Sequence, residues 1–293
     1  MKKRFVFSII FSLVMILPSI GALNISLNKE EKNQPFDFSK LDDNVVDDIG
    51  WFTSLVLDNE GYPHISYYDY TNGDLKYTYW NGNSWIKEVV DSEDNVGRYN
   101  SITLDSNNHP HISYYDFTNE NLKYAFWDGN NWEIQAVDIF GKVGLYTSIV
   151  LDNYNNPHIS YCDYSNKNLK YAFWDGNNWD KTTVDNSGDI CVFEYFGDTT
   201  SIALDSNNYP HISYCDFENY NLKYGFWDGN KWSTETVDEE GEIGQYSSLV
   251  LDTNDIPHIG YGYLTKRSSL KFDLKYAEKT SGNWNIEKIG RAH

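Results

Sequence analysis

The chain has 293 residues, a formal charge of −20, and 17% aromatic residues, with 24 tyrosines and 10 tryptophans. So acidic a surface repels phosphate backbones and sets nucleic acid aside as a partner. Its three cysteines, Cys162, Cys191 and Cys215, have no CxxC spacing and give a zinc site no support.

Met1 to Arg4 is basic, Phe5 to Ile20 is apolar, and the small residues Ser19, Gly21 and Ala22 follow. This predicts a signal peptide over 1–22, with an uncleaved N-terminal anchor as the alternative. Residues 23–43 read as a polar linker. Loss of the leader would take the charge from −20 to −23. Residues 44–293 then repeat one phrase five times. It runs LDNEGYPHISYYD at 57–69, LDSNNHPHISYYD at 104–116, LDNYNNPHISYCD at 151–163, LDSNNYPHISYCD at 204–216 and LDTNDIPHIGYGY at 251–263. The histidines His64, His111, His158, His211 and His258 are spaced by 47, 47, 53 and 47 residues. A period of that size is a repeat architecture.

In the second repeat, Ser101–Asp105, His111–Asp116, Leu122–Trp127 and Trp132–Val137 are β-branched and aromatic runs separated by Asn, Asp and Gly turns. Each repeat is therefore a four-stranded antiparallel meander of about 47 residues, the size of a propeller blade. The fold class is all-β, a closed five-bladed propeller with repeats 54–100, 101–147, 148–200, 201–247 and 248–293. The blades themselves fall near 54–91, 101–138, 148–185, 201–238 and 248–289. Two segments compete for the outer strand of blade five. Trp284–Ile289 matches it, but Asn44-Val-Val-Asp47 matches the end of the same strand, as in Glu88-Val-Val-Asp91. The C-terminal segment is expected to hold the position.

Features that recur in every repeat read as structure. Each histidine opens a second strand six residues after an Asp (Asp58, Asp105, Asp152, Asp205, Asp252), which predicts a buried carboxylate–imidazole pair rather than a metal ring. The pairs Trp80/Trp85, Trp127/Trp132, Trp174/Trp179 and Trp227/Trp232 flank one tight turn and predict cross-strand packing. The prominent carboxylates come in copies, whereas acid–base catalysis needs a singular pair with separated pKa values. Beyond the leader only Arg98, Arg267 and Arg291 remain, scattered along the chain. Length changes fall on one face, at 186–200 and 262–273, and loops on a rigid scaffold carry function. On that face Trp51, Tyr99, Tyr146 and Tyr246 precede first strands, and Asp69, Asp116, Asp163 and Asp216 end second strands. Ring stacking on the aromatics and hydroxyl bonds to the acids would bind a sugar at the inter-blade seams. The competing reading of the acids is that they cap turns.

The run YTSIVLDNYNNPHISYCDYSNKNLKYAFWDGNNW at 146–179 resembles secreted prokaryotic propeller repeats related to sialidase-like (BNR-type) repeats and fucose-specific lectins. The resemblance extends over 45–290. It implies a sugar-binding propeller with sites between adjacent blades.

The favoured reading is a non-catalytic extracellular binding propeller, carbohydrate-binding and lectin-like, secreted or at the cell surface. Its partner would be a glycan or a surface protein. No catalytic residue, metal or cofactor is assigned, and no membrane contact is expected beyond the leader. The alternatives are a structural or protein-interaction propeller at the cell surface and a sialidase-like glycoside hydrolase.

Overall fold

The computed structural model describes residues 49–191, 200–240, 242–266 and 271–291. Twenty strands form five four-stranded antiparallel sheets in chain order. Blade one comprises β1 Ile49–Leu57, β2 Pro63–Asp69, β3 Asp74–Trp80 and β4 Trp85–Asp91. Blade two has β5 Val96–Leu104, β6 Pro110–Asp116, β7 Asn121–Trp127 and β8 Trp132–Asp138. Blade three has β9 Val143–Leu151, β10 Pro157–Asp163, β11 Asn168–Trp174 and β12 Trp179–Asp185. Blade four has β13 Thr200–Leu204, β14 Pro210–Asp216, β15 Asn221–Trp227 and β16 Trp232–Asp238. Blade five has β17 Glu242–Leu251, β18 Pro257–Lys266, β19 Lys271–Thr280 and β20 Asn283–Arg291. The fold is a five-bladed β-propeller. β20 holds the fourth position of blade five, as expected. Residues 44–47, the leader and the linker lie outside the described residues, as do 192–199 and 267–270 of the two variable loops.

The hairpins follow from their turn residues. Each Asp after a first strand accepts backbone N–H groups two and four residues on, as Asp105 Oδ1 does from Asn107 and His109 at 2.8 and 2.7 Å. Asn108, Asn155, Asn208 and Asp255 take the positive φ that this turn requires. The first strands start earlier than the sequence suggests, at residue 49 rather than 54 in blade one. Phe52, Tyr99, Tyr146 and Tyr246 adopt φ of 52–56°, the register shifts there, and pairing resumes beyond the kink.

The repeated histidines are structural, but their principal partner is not the carboxylate. Nδ1 of His64, His111, His158, His211 and His258 hydrogen-bonds the hydroxyl of Tyr77, Tyr124, Tyr171, Tyr224 and Tyr276 on the third strand. Asp58 approaches His64 Nε2 only to 3.5 Å, and the equivalent distances at His158, His211 and His258 are 3.8–3.9 Å. Burial pushes His111 and His158 down to about 4, so both are neutral at pH 7. The expected tryptophan pairs are present, with ring centroids 5.5–5.8 Å apart.

Four seams between consecutive blades share one set of contacts. A tyrosine hydroxyl and a lysine ammonium of the later blade both reach the Asp that ends the earlier fourth strand. Tyr114 and Lys123 meet Asp91, Tyr161 and Lys170 meet Asp138, Tyr214 and Lys223 meet Asp185, and Tyr261 and Lys275 meet Asp238. Near the centre, Ser66 bonds Asn100, Ser113 bonds Thr147, Ser160 bonds Thr200 and Ser213 bonds Ser247. At the rim, the indole N–H of Trp132, Trp179, Trp232 and Trp284 donates to Glu88, Gln135, Thr182 and Glu235. Among the described residues no packing of comparable extent joins blade five to blade one.

Candidate carbohydrate-binding face

The connections after second and fourth strands share one face, and the sequence-predicted residues lie there. The acids are drawn inward. Asp69 accepts the backbone N–H groups of Thr71 and Asn72 at 3.0 and 3.2 Å, the Asn72 amide at 2.8 Å and the Lys76 ammonium at 2.5 Å. Burial opposes ionisation of Asp69, but Lys76 and these donors outweigh it and hold the carboxyl below its ordinary value. Asp116, Asp163 and Asp216 accept from the backbone and side-chain amides of Asn119, Asn166 and Asn219 in the same way. All four are at most 3% exposed. They cap the turns, the competing reading of the sequence, because a carboxylate followed three residues on by Asn closes on its own loop.

The aromatics are partly relocated. The kinked positions are Phe52, Tyr99, Tyr146 and Tyr246, so Trp51 belongs one place earlier, in register with Arg98, Leu145 and Gln245. Phe52, Tyr99 and Tyr146 pack as a chain of rings along successive first strands, with centroids 4.5 and 4.4 Å apart. Tyr146 is buried; Phe52, Tyr99 and Tyr246 are half-buried.

The structure adds a group the sequence reading passed over. At the seam of blades one and two, the Arg98 guanidinium lies 3.8 Å from the Phe117 ring centre and 5.3 Å from that of Tyr68. Its Nη2 donates to the Tyr68 hydroxyl at 3.4 Å, and that hydroxyl donates to Asn95 at 2.9 Å. Trp51 and Tyr70 pack beside this group with centroids 5.9 Å apart, and Tyr70 is 56% exposed. Arg98 Nε and the hydroxyl of Tyr115, its cross-strand neighbour, are buried without a hydrogen-bond partner. The seam of blades two and three has a weaker counterpart, Lys142 at 5.2 Å over Tyr164. The signal was in the alignment: one arginine at a position otherwise held by Trp, Leu and Gln.

Chemically, the arrangement sets a cationic donor beside aromatic rings. Guanidinium donors and exposed ring faces suit hydroxyls and C–H groups of a sugar. Arg267 and the Arg291 side chain lie outside the described residues. No group of three or more His, Cys, Asp or Glu side chains able to hold a metal occurs among the described residues.

No protein-family model and no curated protein matches the chain. Solved structures do match in fold. An ulvan lyase of a new polysaccharide lyase family, bound to a GlcA-Rha3S unit, is 12% identical with a TM-score of 0.56, over 81% of this chain and 71% of its own. The Aleuria aurantia lectin, in complex with Fucalpha1-6GlcNAc, is 15% identical with a TM-score of 0.51, over 82% and 78%. A Hadza microbial sialidase is 10% identical with a TM-score of 0.52, over 83% and 59%. The chain thus resembles sialidase-type and fucose-lectin-type propellers. At these identities the likeness is one of fold.

Proposed function

We propose that the protein is a non-catalytic, lectin-like propeller that binds carbohydrate outside the cell, secreted or held at its surface. The observation that carries this reading is the Arg98–Phe117 platform: a guanidinium stacked on an aromatic ring beside exposed Tyr70, with its own Nε and the neighbouring Tyr115 hydroxyl left without hydrogen-bond partners. Trp51 and half-buried Tyr99 supply ring surface around it, while Tyr146 is buried beneath and Tyr246 belongs to blade five. Asp69 and Asp116 hold the loops that present Tyr70 and Phe117, and Asp163 and Asp216 hold the equivalent loops of blades three and four. Catalysis is disfavoured because these four acids are tied into turns. The fold neighbours, which include a fucose-binding lectin, support a glycan ligand.

The test is a glycan array on the secreted chain, followed by calorimetry on the best hit with Arg98→Ala. The affinity should fall at least about tenfold, the loss of one charge-assisted contact, with an unchanged melting temperature. Unaltered affinity in the folded variant would remove the platform from the site. The unmet faces of blades one and five favour a second reading, docking of a protein. Pull-down by the wild type that is abolished by Trp85→Ala would support it.

A further inference from the structure

On the opposite face, blade five lacks one residue that the other four blades share and a ring that blades one, two and four share. The third strand ends in Trp80, Trp127, Trp174 and Trp227 in blades one to four, each packed on the Trp that opens the fourth strand. Blade five has Lys279 there, in register with Trp284. In blades one, two and four the residue before the second-strand proline is Tyr62, His109 or Tyr209, and its ring covers the glycine of the hairpin between third and fourth strands. Blade five has Ile256 there and blade three Asn156, and nothing lies within 4 Å of the Cβ position of Gly282 or of Gly176. The hairpin is rebuilt as well, with Ser281 and Gly282 both at positive φ, 52° and 83°.

These changes leave a cleft of about 280 Å³ at the seam of blades four and five. One wall is aromatic: Tyr224 and Phe226, their ring centroids 5.7 Å apart. The other is formed by Ile256, Pro257 and Ser281. Two charged groups converge on it. The Lys279 ammonium lies 5.4 Å from the Phe226 ring centre and uses one N–H on Glu235 at 2.5 Å, which leaves two donors. The Asp255 carboxylate accepts the Ser206 N–H and hydroxyl at 2.9 and 2.6 Å, one on each oxygen, which leaves lone pairs on both. The positions equivalent to Asp255 are the amides Asn108, Asn155 and Asn208, so the charge is particular to this seam.

We infer that this cleft is a second saccharide subsite, separate from the Arg98 platform and independent of it, that takes one neutral pyranose unit. A ring's C–H face lies on Phe226, which buried Tyr224 backs, Asp255 accepts from one hydroxyl, and Lys279 donates to another. The pairing of one cation with one anion selects an uncharged polyol over a uronate or an amino sugar. The volume is near the lower end of the roughly 300–1,000 Å³ of ligand pockets and suits one sugar ring rather than a chain.

The two repairing substitutions already exist in the same molecule. Lys279→Trp restores the residue of blades one to four, and Asp255→Asn restores the amide of blades two to four, so both should fold. Saturation-transfer NMR and calorimetry with the methyl pyranosides of glucose, galactose, mannose, fucose and N-acetylglucosamine, run in an Arg98→Ala background, read this cleft alone. At least one glycoside should bind in that background. Adding Lys279→Trp should abolish the signal, and adding Asp255→Asn should weaken it about tenfold, with melting temperatures unchanged. No binding by Arg98→Ala to any of the five, or binding that survives Lys279→Trp, overturns the subsite. Loss of all binding in Arg98→Ala alone would leave the platform standing and remove only this cleft.

Discussion

Four seams of this propeller are built alike, while the outward faces of blades five and one carry the same positions without the contacts. In a built seam, Asp138 receives both Tyr161 and Lys170. Blade five offers Gly290 in place of that Asp and Gly260 in place of the central Ser. Facing it, Lys76 of blade one turns back to Asp69 and Asp74 of its own blade, and Thr53 is exposed where Asn100, Thr147, Thr200 and Ser247 are buried. A ring of equal steps closes only when the step divides the circle, so repeat number alone does not determine closure. The seam is specified by side chains, and blade five lacks two of them.

The largest effect should come from removing the shared acceptor. Asp138→Ala leaves the Lys170 ammonium and the Tyr161 hydroxyl without their partner in a buried seam and should lower stability by about 3–5 kcal/mol. Lys76→Ala at the unmet face, where the side chain is 22% exposed, should cost clearly less, about 1–2 kcal/mol. Urea denaturation of the two variants measures the contrast, and equal losses would show that the seams are not the source of cohesion.

Glycine makes a second contrast. Gly97 and Gly144 sit at φ of 102° and 99°, and a Cβ on either would stand 2.8 or 2.7 Å from the Cα of Leu75 or Leu122 in the preceding blade. Gly50 has φ of 88° but nothing within 4 Å. Gly144→Ala therefore carries backbone strain and a clash, about 2–4 kcal/mol together, whereas Gly50→Ala carries strain alone, about 1 kcal/mol. Thermal melts of both variants separate the terms; a Gly50→Ala loss as large as that of Gly144→Ala would mean that face is packed in solution.

The blade was legible because each strand writes its period and each turn its residues in five similar versions: HISYYD or HISYCD in four repeats and a Gly-Asn turn before Trp in all five leave no alternative register. The expected approach of Asp to His is present in four repeats at 3.5–3.9 Å, but the closer partner was missed, since Tyr77 and its copies sit across the second hairpin, a register that spacing to Asp58 does not reveal. The sites were less legible for a reason built into repeats. Recurrent residues such as Asp116 draw notice yet serve the scaffold, whereas the singular ones, Arg98 and Lys279, show only as departures from a column. Closure was expected from repeat number, but among the described residues blades five and one share no built seam, because Gly260 and Gly290 stand where the Ser and Asp of the other seams would.

The smallest expected effect is also the sharpest reading of the unmet faces. Trp132 donates to Glu88 and lies edge-on to Tyr77 with centroids 5.4 Å apart. Trp85 holds the same position in blade one and is 45% exposed. Blade five presents the matching receiver, a hollow of about 340 Å³ lined by Tyr276 and Glu287 among others. Trp132→Ala should therefore cost about 3–4 kcal/mol, as for an indole lost from a packed seam, and Trp85→Ala less than about 1 kcal/mol. Iodide should quench Trp85 in the native protein and leave Trp132 dark to it, which fluorescence of the two single variants resolves by difference. If Trp85→Ala proved as destabilising as Trp132→Ala and its indole were protected from iodide, something would already occupy the hollow beside Tyr276, and blades five and one would meet a partner in solution that the five repeats do not themselves provide.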